Sequence, residues 1–124
     1  MNLSAWSWRV TRFTLVPPCL FHGWWNMSDA GARWWALESG LPVGLRWVVG
    51  FAEWAAAISL ATGVLSRWAA VGLVALFIGA LPQHWAHGYS FKENGVEVLV
   101  AYATLSLAIA LRPPERRFIV KEDS

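Results

Sequence analysis

The sequence predicts an all-α integral membrane protein: a four-helix bundle of up-down connectivity, with the N and C termini cytoplasmic. Three observations carry this. Of 124 residues, 56% are hydrophobic and only 15% are charged, against about 25% charged in soluble domains. Mean hydropathy is +0.41. Two long runs, Trp68 to Leu81 and Val98 to Leu111, contain no formal charge. A membrane helix needs ~20 mostly apolar residues, so the chain holds about four with short connections and no separate soluble domain.

The net charge of +2 and pI near 9.1 do not indicate nucleic acid. The basic residues lie at span ends, where lipid headgroups account for them. Cys19 is the only cysteine, so no intrachain disulfide can form, and a buried thiol is expected. Arg9 and Arg12 precede an apolar stretch broken by Pro17-Pro18, with no small-residue cleavage site after it. The first segment is therefore expected to stay as a membrane helix.

That first span is placed at about residues 8–26. Pro17 and Pro18 lack backbone donors and predict a kink near its middle, tolerated where neighbours satisfy the freed carbonyls. An interfacial helix is expected at about 29–39. Ser28 or Asp29 can cap it, Gly40 and Pro42 can stop it, and Trp34, Trp35 and Leu37 between Arg33 and Glu38 make it amphipathic. Asn26-Met27-Ser28 matches a glycosylation acceptor, a pattern too common to carry weight.

The second span, about 43–64, is rich in Ala, Gly and Ser, which let helix backbones approach closely in lipid. Glu53 lies near its middle, where a carboxylate is costly and normally faces the interior with a partner. Arg46, or groups freed at the Pro17-Pro18 kink, are candidates for that partner. Gly63 to Arg67 makes a tight turn into the third span, about 68–85. The fourth, about 95–111, ends at Arg112-Pro113-Pro114. Arg9, Arg12, Arg67, Arg112, Arg116, Arg117 and Lys121 then fall on one side, against Arg33, Arg46 and Lys92 on the other. The positive-inside rule puts both termini in the cytoplasm. Trp6, Trp8 and Trp68 fall at the inner boundary. Trp24, Trp25, Trp34, Trp35, Trp47 and Trp85 crowd the outer one, and Trp54 lies near mid-span.

Between the third and fourth spans lies the polar hairpin Pro82 to Glu97. Alternating helices rising about 1.5 Å per residue bring His22, His84, His87 and Glu97 to the outer leaflet, with Glu53 beneath as the floor of an outward-facing pocket. A quinone pocket is one reading: His, Gln83 or Tyr89 would hydrogen-bond the carbonyls, and Trp or Phe would cover the ring. A haem or metal site is another, since His84 and His87 at i,i+3 share a helix face and Glu53, Glu97 or His22 would complete it. No cysteine or dense carboxylate cluster supports the latter, so no metal ligands are assigned and quinone is preferred. The bland alternative has the histidines capping the helix and Glu53 serving structure alone.

Several short motifs recur in order: Arg12 ahead of His22-Gly23, Gly40-Leu41-Pro42, Glu53, Thr62-Gly63-Val64-Leu65-Ser66-Arg67, Ala80 with His84 to His87-Gly88, and Asn94-Gly95-Val96-Glu97. In these the chain resembles the DoxX-like family of small four-helix membrane proteins. Trp24-Trp25-Asn26 stands where that family often has a lysine, and Arg112-Pro113-Pro114 replaces a glycine-rich exit. The resemblance implies a multi-pass protein of a bacterial or archaeal inner membrane, with some relatives serving in thiosulfate:quinone oxidoreductases or other membrane redox complexes. The expectation is a small subunit of a quinone-linked redox assembly, in contact with the bilayer and with other membrane subunits. Its candidate cofactor-binding residues are Glu53, His84, His87, Glu97 and His22. The alternative is a non-catalytic scaffold or accessory subunit of a larger respiratory or photosynthetic complex.

Overall fold

The computed structural model describes residues 3–90 and 95–112. Lys92 and Asn94 of the hairpin and the tail cations Arg116, Arg117 and Lys121 lie outside the described residues. Within them the chain is all-α, as expected, with helices α1 (Leu3–Thr14), α2 (Val16–Met27), α3 (Asp29–Leu37), α4 (Leu45–Thr62), α5 (Ser66–Trp85) and α6 (Glu97–Leu111).

The break between α1 and α2 falls at Leu15, ahead of the prolines. Pro17 and Pro18 have no N–H to offer the carbonyls of the preceding turn. The helix stops there and restarts with the prolines in its first turn, where a missing donor costs nothing. The expected kink is thus a break displaced toward the N terminus, and the Cys19 N–H donates to the Leu15 carbonyl at 3.1 Å across it. Ser28 caps α3, its Oγ accepting from the Gly31 N–H at 3.2 Å. At the end of α4, Gly63 takes φ +82°. The Arg12 guanidinium lies against that turn, 2.7 Å from where a Gly63 Cβ would stand, so a cation covers the negative end of the helix dipole.

Helix α2 packs on α4, α4 on α5 and α5 on α6, while α1 reaches α4 and α6. Two halves of the assembly differ. Leu15, Cys19, Ala57, Leu60, Ala70, Leu73 and Ile109 fill one half with a dry core. It takes the start of α2, the ends of α4 and α6, and the beginning of α5. At the opposite end the helices part around a cavity that α3 covers.

Outward faces are apolar. From Trp47 to Thr62 every exposed residue of α4 is uncharged, and Ile78 and Leu107 extend this surface onto α5 and α6. A water-facing helix surface would carry charge there; lipid accepts this one. Among the described residues, α5 is the one helix long and apolar enough to cross a membrane by itself. The other expected spans fall short for separate reasons: the first is divided at Leu15, α4 carries Arg46 and Glu53, and α6 has 15 residues.

Candidate functional site

The site is built on the crossing of α2 and α4. Leu20 meets Trp54, Gly23 meets Gly50, and Asn26 meets Arg46, so the two helices run antiparallel. At the crossing a Cβ on Gly23 would stand 2.9 Å from the Gly50 carbonyl, and one on Gly50 3.0 Å from the Gly23 carbonyl. Neither position admits a side chain without separating the helices. Asn26 and Glu53 each lie three residues beyond their glycine, on the same face. Because side chains lean toward the N terminus of their own helix, both lean back to the crossing and meet there.

The Asn26 amide Nδ2 donates to Glu53 Oε1 at 2.7 Å. The Trp35 indole N–H donates to Asn26 Oδ1 at 2.7 Å, which fixes the orientation of the amide. Arg46 donates to the Asn26 backbone carbonyl at 3.1 Å, and its guanidinium lies over the Trp47 ring, 4.2 Å from its centroid. Glu53 is 2% exposed, Trp35 6% and Asn26 7%. The partner of Glu53 is therefore Asn26, neither Arg46 nor a group at the proline break. Asn26 is also enclosed, which removes it as a glycan acceptor.

Helix α3 folds back over this cluster because Gly31 lies directly against the Trp25 carbonyl. The Ser39 hydroxyl ties the end of α3 down, donating to the Trp35 carbonyl at 2.7 Å. Trp35, expected in an outer aromatic belt, instead points inward. Its neighbour Trp34 stacks on His84, centroids 5.8 Å apart and planes at 15°, and joins α3 to the end of α5.

Beneath these rings lies a cavity of about 630 Å³ lined from α2, α3, α4, α5 and α6, a size typical of small-molecule sites. Glu53, His22 and His84 all line it, as do Gln83, Tyr102 and Phe77. His22 and Tyr102 meet edge to face at 6.4 Å. His87 and Glu97 are not among its lining residues. Helix α5 ends at Trp85, and Gly88 at φ +80° turns the chain away. His87 is therefore exposed beyond the helix and does not share a helical face with His84. Glu97 opens α6, its N–H donating to the Tyr89 carbonyl at 2.8 Å. Tyr89 is itself exposed and outside the cavity wall.

Sequence reading missed Asn26 and Trp35. The spacing of Asn26 from Gly23, repeated by Glu53 from Gly50, was the available signal. Among the described residues no three His, Cys, Asp or Glu side chains come together at metal-binding range. The model of the DoxX-like family matches residues 25–111. No curated protein and no solved structure matches the chain.

Proposed function

The chain belongs to the DoxX-like family, and we propose that this small membrane protein is a subunit of a quinone-linked redox assembly, with the cavity over Glu53 as its ligand site. The observation that carries this is the cavity itself: aromatic walls of Phe21, Trp25, Trp34 and Phe77 around polar groups of Glu53, His22, His84, Gln83 and Tyr102. A flat ring with polar atoms at its rim matches such walls. In this reading α1 with α2, α4, α5 and α6 form four alternating spans of a bacterial or archaeal inner membrane, with the termini cytoplasmic. The antiparallel α2–α4 crossing and the apolar outer faces support it.

Protein purified in mild detergent should release quinone into organic solvent, identified by mass spectrometry. His84→Ala should lower that occupancy by about tenfold, the loss of one buried hydrogen bond. Preparations that carry no quinone and take up none on addition would sink this reading. The exposed rings of Trp24, Trp47 and Trp85 support a second reading, an accessory subunit packed against a larger membrane complex. Gentle extraction should then recover that complex; free monomer alone would count against it.

A further inference from the structure

We propose that the same cavity binds apolar organic cations, with the Glu53 carboxylate as their counter-ion. This stands independently of the quinone reading. Among the described residues that line the cavity, Glu53 is the one carboxylate and none is lysine or arginine. The other titratable groups on the wall are the imidazoles of His22 and His84 and the Tyr102 phenol. Arg46 is turned away, held by the Asn26 carbonyl and the Trp47 ring.

Glu53 Oε1 accepts from Asn26, a neutral amide, so among the described residues the acid has no cationic partner on the cavity wall. A 2% exposed acid in a low-dielectric cavity is ionised only beside a positive charge, so an entering cation takes the place of its proton. The surrounding rings add to this, since the faces of Trp, Tyr and Phe attract cations, and quaternary ammonium groups above all. A small metal ion is poorly served, as aromatic walls cannot replace its hydration shell and no cluster of three ligating side chains is present among the described residues. The ligand class is therefore a weakly hydrated cation with an apolar body: a quaternary ammonium, a phosphonium or a long-chain amine.

The test uses ions of one shape and opposite sign. Purified protein in neutral detergent is titrated with tetraphenylphosphonium, tetraphenylborate and neutral triphenylphosphine oxide. Wild type should bind the phosphonium about tenfold more tightly than the borate, and Glu53→Gln should weaken the phosphonium by about tenfold while the neutral compound changes by less than about twofold. Equal binding of the two ions by the wild-type protein would overturn the proposal, and this comparison needs no variant. Undiminished phosphonium binding by Glu53→Gln would overturn it as well. Failure of the phosphonium leaves quinone binding intact, and absence of quinone leaves the cation site intact.

Discussion

Asn26 holds three groups at once: the Glu53 carboxylate, the Trp35 indole and, through its carbonyl, Arg46. Its planar amide donates to the acid through Nδ2 and accepts from the indole through Oδ1. Leucine would fill a similar volume and satisfy neither. Asn26→Leu should therefore cost about 1–3 kcal/mol, the penalty for buried polar groups left unpaired, read by denaturant titration in mixed micelles. Glu53→Gln keeps an acceptor for Asn26 and should cost less than ~1 kcal/mol by the same measurement. Equal losses for the two variants would show that Asn26 acts through packing alone. Glu53 was legible as a buried, partnered residue because a carboxylate within an apolar run needs a partner. Asn26 was not, because a polar residue at a span end has an ordinary explanation in the headgroup region.

Helix pairing in this protein depends on glycines that differ in what they do. Gly23 and Gly50 sit backbone to backbone, whereas Gly72 on α5 has nothing within 4 Å of an added Cβ. Gly23→Ala should push α4 away and cost about 1–3 kcal/mol by overpacking. Gly72→Ala should cost nothing and gain up to about 1 kcal/mol from restricted backbone freedom. Thermal unfolding in detergent compares the two, and a harmless Gly23→Ala would refute the close crossing. Composition alone shows that α4 is rich in small residues; it does not say which of them touches a neighbour. Helix α3 teaches the same lesson. Its amphipathic pattern and its Ser28 cap were readable, but the inward turn of Trp35 depends on Gly31 meeting the Trp25 carbonyl, a contact between helices.

At the scale of the whole molecule, one half is a filled core and the other a cavity under α3. That division makes a prediction about crossing the bilayer. In a Cys19→Ser background, Leu37→Cys sits beside the cavity end and Val64→Cys at the core end, both exposed. A membrane-impermeant maleimide added to intact cells should label Leu37→Cys, while Val64→Cys should react only after the membrane is opened. Labelling of both from one side would contradict alternating spans. The cavity half is where quinone or a cation would enter, so the same assay locates the open face of the site.

The sequence by itself determined the helical class, the apolar exterior and the burial of Glu53, because long apolar runs and the cost of a charge in lipid act on single segments. Short glycine-bearing turns, with Gly63 and Gly88 at positive φ, were legible for the same local reason. Tertiary structure alone decided which polar groups meet. It gave Glu53 to Asn26, brought His22 and His84 to one cavity, and left His87 and Glu97 outside its lining. The physical reason is rotation: a helix presents a new face every 100° or so along the chain, and only packing at Gly23 and Gly50 chooses the face that looks inward.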